Sequence, residues 1–353
     1  MPSQAETPAK FTGWASKGKD QPLEKWSYQP RPLGSSDVEI KISHCGICAS
    51  DVYTIDSGWG PTKYPCIVGH EIVGHVTQVG NEVQDLQVGD RVGMGAQARS
   101  CLECEECEMQ YENYCQGNMV QTYNSVYDDG KQAQGGYADY VRVHHHWAFR
   151  IPDEIPSAEA ASLFCAGITV YSPLKQANVG PDTKVGVVAI GGLGHLALQF
   201  ARALGARKIT AVSHSTSKKE DAMKLGATDF VATSNPEEVK AANRSLDTLI
   251  VTSCGPYTDW TQLFSLVRTW GKVIVVGMPE GTFDGIPPML MGVRAISLIG
   301  SIIGPPRMIK EMLDVAAKKG VRVWCHKRPM SSVNETLAEF RDGKARFRYV
   351  LTN

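Results

Sequence analysis

The stretch KVGVVAIGGLGHLALQFARALGA, residues 184–206, constrains the chain more than any other. It opens on a continuous apolar run, the signature of a strand buried on both faces. A glycine turn follows, then apolar residues at helical spacing. The same alternation continues through KITAVS, a helix over KKEDAMKLGA, DFVAT, LDTLIVT, a helix near residues 258–269, GKVIVVG and AISLIGSI. Strands alternating with helices specify an α/β fold with a doubly wound parallel sheet. A chain of 353 residues exceeds a single core, so this sheet, placed over residues 156–301, is one of two domains. Residues 1–155 carry shorter alternating runs, DVEIKIS, EIVGHVTQVG and YADYVRV, which read as antiparallel strands joined by turns. The tail, residues 302–353, returns to helix and short strand and is expected to complete this mainly β domain.

The 36 basic and 37 acidic residues nearly cancel and form no blocks, which argues against nucleic acid or a membrane surface as partner. No apolar window is long enough for a spanning helix, and the start, MPSQAETPAKFTGW, lacks an apolar signal core. The expected compartment is the cytoplasm. Ten cysteines in a chain of this length and setting point to metal ligation or catalysis ahead of disulfides.

Four of them, Cys101, Cys104, Cys107 and Cys115, fall in CLECEECEMQYENYC at spacings C-x2-C-x2-C-x7-C. Zinc takes four thiolates in a tetrahedron, and close C-x2-C steps let one loop supply several of them. Such a site is closed to water and therefore structural. The intervening Glu103, Glu105, Glu106 and Glu108 read as solvated loop charges. A second set is dispersed: Cys45 and Cys48 in SHCGICASD, His70 and Glu71 in IVGHEIVGHV, and Cys165 in LFCAGITVY. Two thiolates and one imidazole make a three-ligand zinc site with an open position, the arrangement of catalytic zinc. Glu71 stands beside it as an exchangeable fourth ligand or as a group that supports the ligands.

In the glycine turn, Ala189, Ile190, Gly191, Gly192, Leu193 and Gly194 join strand to helix, so that backbone can approach a pyrophosphate at the helix N-terminus. Alanine occupies the motif's first glycine position. An acidic residue after the next strand would hold the ribose of NAD. Here Ser213, His214, Ser215 and Lys218 occupy that region, and hydroxyls with a cation suit the 2′-phosphate of NADP.

Taken together, GHEIVG, VGDRVGMGAQ, CLECEEC, QGGYADYVRV, ITVYSPL and KKEDAMKLGA resemble the zinc-containing medium-chain dehydrogenase/reductases, within them the cinnamyl alcohol dehydrogenase family and its fungal NADP-dependent aldehyde reductases. The resemblance spans nearly the whole chain. It implies a GroES-like catalytic domain with a Rossmann domain, two zinc ions per chain, and a homodimer joined through edge strands near AISLIGSI. It assigns Cys48 as ligand and Cys45 to packing. It also implies that Ser50 meets substrate and nicotinamide ribose, that Asp51 bonds the ring of His70, and that Thr169, Thr252, Gly277, Gly300, Ser301 and Ile302 meet the cofactor. One position departs from the pattern. Where many relatives carry a proton-passing histidine, this chain has Tyr53; an unperturbed phenol titrates near pH ~10, far above imidazole at about 6.5. The implied activity is reversible NADP(H)-linked reduction of aldehydes, aromatic and aliphatic, to primary alcohols, with Ser50 starting the proton path. Two alternatives stand beside it: reduction of conjugated C=C or iminium groups on the same frame, and a non-enzymatic nucleotide-binding protein.

Three further features carry weaker chemistry. His144, His145 and His146 read as a surface strand, where neighbours face opposite ways and cannot converge on one ion. Trp59 reads equally as pocket aromatic or core anchor. Cys66, Cys254 and Cys325 have no ligand spacing.

Overall fold

The computed structural model describes residues 8–353; residues 1–7, part of the polar start, lie outside them. The chain forms two compact units. One runs to Cys165 and takes up Gly304–Ala317 and Val323–Asn353; the other comprises Ala166–Ile303 and Lys318–Arg322.

The first unit is mainly antiparallel β-structure. Its long strand Asp37–Gly46 pairs on one side with Glu71–Val79, and on the other with Tyr140–His144 and then Arg348–Thr352. The tail thus enters the sheet beside the strand that leads to Cys48. Cys325–Pro329 runs parallel to Arg348–Thr352 and ends the sheet. Val38, Ile40 and Ile42 are buried on one face; on the other Lys41 is exposed, while buried Glu39 is paired with Arg142.

The second unit is a six-stranded parallel sheet. In spatial order its strands are Asp229–Ala232, Lys208–Ser213, Lys184–Val188, Leu246–Val251, Val267–Val275 and Ser297–Gly300. Numbered along the chain this is 3-2-1-4-5-6, the doubly wound order of dinucleotide-binding sheets. One face buries Trp260, Phe264, Leu249 and Val273. The helix expected near residues 258–269 is shorter, Trp260–Ser265, and Val267–Val275 is strand. Asp259 caps it by accepting from the Gln262 amide, and the following apolar pair Leu266–Val267 is ambiguous between the two periods.

The histidine triplet also differs from the surface strand expected of it. The strand ends at His144, and His145–Trp147 form a 3₁₀ turn. Glu105–Glu108, expected as loop, make one helical turn that carries Cys107 and is preceded by Cys104.

Candidate functional site

All the dispersed donors sit in the first unit. Cys48 ends the chain segment after Asp37–Gly46 and caps the helix Ala49–Ile55. His70 and Glu71 lie at the start of Glu71–Val79. Cys165 lies in a π-helical turn, Leu163–Gly167, between the helices Ser157–Ser162 and Ile168–Gln176; such wide turns recur at functional sites because they re-aim a side chain. Gly46 is required by its neighbour, since a Cβ there would collide with the Glu71 carboxylate.

The sulfur of Cys48 is 3.8 Å from that of Cys165, and Nε2 of His70 is 3.0 Å from the latter. With Glu71, the four donor atoms lie within 4.8 Å of one another. Two thiolates on one tetrahedral zinc, with bonds of about 2.3 Å, stand roughly 3.8 Å apart. The donor set therefore fits zinc in both chemistry and spacing. The other His70 nitrogen, Nδ1, is 2.9 Å from the Tyr123 hydroxyl and 3.3 Å from Asp51. Asp51 is itself fixed by the amides of Cys48 (2.9 Å) and Gly69 (3.0 Å) and by the Tyr137 hydroxyl (2.9 Å).

The groups of this cluster shift one another's titration, and Cys165 is held well above an ordinary thiol by its hydrogen bond with Cys48 and by burial. Burial pulls the His70 imidazole toward neutrality, but Asp51 and then Cys48 outweigh it and hold its pKa well above the ordinary value. The hydrogen bond from Cys165, opposed by burial and helped by His70, holds Cys48 well below an ordinary thiol. Glu71 is buried and ion-paired to buried Arg348, and accepts from the Ser162 hydroxyl at 2.8 Å. Burial raises its pKa, with Arg348 opposing. Arg348, Ser162, Tyr123 and Tyr137 were not singled out in the sequence. A charged residue opening the apolar run RYVLT was the one available signal.

Cys101, Cys104, Cys107 and Cys115 form the second donor group. Sulfur separations of 3.9 Å (Cys101–Cys107) and 3.5 Å (Cys101–Cys115) again fit one tetrahedral ion. The amide of Cys104 points to the Cys101 sulfur and that of Cys101 to the Cys115 sulfur, both at 3.3 Å; such donors stabilise thiolate charge.

In the second unit, the glycine turn follows Lys184–Val188. Ala189 takes φ = 66°, a left-handed conformation that glycine adopts without strain. Gly194 packs so closely on the Ala189 carbonyl that a Cβ would collide. The Thr252 hydroxyl donates to the carbonyls of Val188 (2.8 Å) and Ala189 (3.0 Å), and Lys218 Nζ donates to the Ile190 carbonyl (2.9 Å). Ser213 ends Lys208–Ser213, His214 is exposed, and the Ser215 hydroxyl meets that of Ser217 at 3.0 Å. Gly277 lies against Thr252 and Ser253, Gly300 closes the last strand, and buried Ser301 follows it.

Residues 34–153 match the alcohol dehydrogenase GroES-like domain and residues 192–318 the zinc-binding dehydrogenase domain. A probable mannitol dehydrogenase of Mesembryanthemum crystallinum is 42% identical, over 98% of this chain and 95% of its own. A cinnamyl alcohol dehydrogenase structure from Sorghum bicolor is 35% identical, with a TM-score of 0.92 over 97% of each chain. The chain belongs to the zinc-containing medium-chain dehydrogenase/reductases, in the cinnamyl alcohol dehydrogenase family. A further cinnamyl alcohol dehydrogenase, from Helicobacter pylori and solved with NADP(H), is 31% identical, with a TM-score of 0.89 over 98% of each chain. As a member of this family the protein is an alcohol dehydrogenase-class oxidoreductase acting on small molecules. Its first unit is GroES-like and its second a Rossmann fold. No helix among the described residues is long and apolar enough to cross a membrane.

Proposed function

We propose that the enzyme interconverts aldehydes and primary alcohols using NADP(H), with a reactive zinc held by Cys48, His70 and Cys165 and a structural zinc held by Cys101, Cys104, Cys107 and Cys115. The observation that carries this reading is the convergence of Cys48, His70 and Cys165 beside Ser50, whose hydroxyl lies 3.6 Å from the Cys48 sulfur. When bound, zinc supplies Lewis-acid polarisation of a carbonyl oxygen and NADPH supplies hydride. The chain's own residues prepare that chemistry. Asp51 orients His70 through Nδ1, which leaves Nε2 toward the thiols. Glu71, held by Arg348 and Ser162, is the exchangeable fourth donor. Ser50 Oγ gives or takes the proton at the substrate oxygen.

In the same reading the mainly β part, residues 1–155 with 302–353, is the catalytic domain, and residues 156–301 hold the cofactor. The turn Ala189–Gly194 with Thr169, Thr252, Gly277, Gly300, Ser301 and Ile302 receives the dinucleotide, and Ser213, His214, Ser215 and Lys218 receive the 2′-phosphate. The absence of a carboxylate at residues 213–218 supports NADP. Ser297–Gly300 is the end strand of its sheet and partly exposed, and the preceding helix Pro288–Arg294 exposes Met289 and Val293, which supports a homodimer through that edge.

Tyr53, at the position of the proton-passing histidine, favours a second reading, reduction of the conjugated C=C bond or an iminium group. Incubation with an α,β-unsaturated aldehyde and NADPH separates the two: an allylic alcohol supports carbonyl reduction, a saturated aldehyde the second reading. Metal analysis completes the test. Cys48→Ala is expected to retain about one zinc of two and to lose turnover; full retention of zinc or of activity would sink the assignment.

A further inference from the structure

One hairpin joins the four-cysteine loop to the cluster of Cys48, His70, Glu71 and Cys165. Its strands are Gln97–Arg99, which leads into Cys101, and Val120–Gln121, which follows Cys115. They pair antiparallel, with Gln97 opposite Gln121 and Arg99 opposite Val120, so the loop is the closed end of the hairpin. Gln97 braces that end by donating from Nε2 to the Glu112 carbonyl inside the loop (2.8 Å).

At the open end both strands continue into residues that touch the other cluster. Before Gln97–Arg99 comes Arg91–Met94, whose Met94 lies opposite Ile72, the residue after Glu71. Gly93 and Gly95 pack against Phe164, the neighbour of Cys165: a Cβ on the first would meet its ring, and one on the second its carbonyl. After Val120–Gln121, the Thr122 amide donates to the Ala96 carbonyl (3.0 Å) and its hydroxyl to that of Gly95 (2.5 Å). Tyr123 follows, buried, with its hydroxyl 2.9 Å from Nδ1 of His70.

A neutral imidazole whose Nε2 serves a metal carries its proton on Nδ1. Of the two oxygens near that N–H, Tyr123 Oη at 2.9 Å is closer than Asp51 Oδ1 at 3.3 Å. The phenol that accepts from Nδ1 passes its own proton on to a hydrogen bond with Asp51. Asp51 reaches His70 from the helix Ala49–Ile55, whereas Tyr123 reaches it from the hairpin that the four cysteines close. Two-stranded hairpins are marginal on their own. With strands of three and two residues, what fastens one end of this hairpin decides how firmly the other is held.

We propose that the Cys101–Cys115 loop, when it holds its metal, strengthens the hold of the reactive site on zinc, and that Tyr123 is the positioning residue through which it acts. The filled loop clamps the hairpin, and the hairpin keeps the phenol against Nδ1 of His70. This inference rests on the two-zinc reading above.

The test follows zinc release to a chromophoric chelator. Tyr123→Phe, which keeps the ring and every cysteine, should hold two zinc ions and release one of them about tenfold faster than wild type. Cobalt placed in the reactive site should show shifted visible bands in this variant, which loss of packing elsewhere would not cause. Cys101→Ala/Cys104→Ala is expected to hold about one zinc and to release it about tenfold faster than wild type releases its reactive zinc. Adding Tyr123→Phe to that variant should change the rate little, because both act through one hydrogen bond. Wild-type release of the reactive zinc from either protein, or effects that multiply when combined, would overturn the proposal. If the double cysteine variant does not fold, Thr122→Val takes its place. It removes only the hydroxyl tie to Gly95, and it should release one zinc of two faster; wild-type rates in it would overturn the proposal equally. A wild type that holds no metal would instead remove the two-zinc reading itself.

Discussion

Asp51 lies 3.3 Å from Nδ1 of His70 while the opposite ring nitrogen faces the Cys165 sulfur. Asp51, together with the Tyr123 hydroxyl 2.9 Å from the same nitrogen, therefore decides which imidazole nitrogen can serve a metal. Partners of this kind change metal affinity by about 10–100-fold when removed. Asp51→Asn should lose one zinc per chain during dialysis against a moderate chelator that leaves the wild type loaded. The zinc of the Cys101–Cys115 loop should stay bound. Metal analysis of both proteins after identical dialysis checks this; equal retention would remove the orienting role of Asp51.

Lys218 fastens the nucleotide turn through the Ile190 carbonyl, and Ser213 ends the adjacent strand. A charge-assisted hydrogen bond to a 2′-phosphate contributes about 1.5–3 kcal/mol, or roughly ten- to a hundred-fold in affinity. Lys218→Ala should raise the apparent constant for NADPH by that factor and that for NADH far less. Ser213→Asp should go further by repelling the phosphate and offering a carboxylate to the ribose. Kinetics with both cofactors decide; parallel losses for the two would assign Lys218 to the turn alone.

Ala189 holds a left-handed conformation that costs an alanine about 1–2 kcal/mol, against about 0.4–1 kcal/mol for the extra freedom of glycine in the unfolded chain. Ala189→Gly should therefore stabilise the protein by up to about 1.6 kcal/mol. Chemical denaturation read by fluorescence would show a higher midpoint with unchanged slope; a lower midpoint would mean that the methyl group contributes packing of its own.

Burial, then the neighbouring His145, lowers the pKa of His144 from 6.5 to about 4; His146 and Arg99 act the same way and Asp37 opposes. The folded state thus favours neutral His144. Between pH 6.5 and about 4 the unfolded chain binds more protons, so stability falls as the pH is lowered through that window. His44, also lowered by burial and by Lys327 and His75, adds to the same trend. His144→Asn keeps an acceptor for the His146 amide, which bonds His144 at 3.2 Å, and should show a shallower decline in melting temperature from pH 7 to pH 5. An identical decline would place the titration elsewhere.

The sequence made some of this legible. Donor spacing identified Cys101, Cys104, Cys107 and Cys115, and strand–turn–helix alternation identified the parallel sheet, because both signals are local. Arg348 and Glu71 are 277 positions apart, and no period or spacing joins them. Tyr123 and Tyr137 likewise look like ordinary strand and loop aromatics until folding brings their hydroxyls to His70 and Asp51. The helix near residue 260 was overextended for a different reason: a short apolar run does not distinguish a buried helix end from the start of a buried strand.

The pairing of Arg348–Thr352 with the strand before Cys48 also sets an order of events during synthesis. Glu71 emerges 277 residues before Arg348. At roughly 5–20 residues per second that is a wait of about 14–55 s. The Cys101–Cys115 loop closes over only 14 positions, and its four sulfur donors emerge together. One donor cluster can therefore capture its ion while the ribosome is still at work. The other gains the Arg348 partner of Glu71 only after the last strand has been released, so its fourth donor is fixed in a separate, later step.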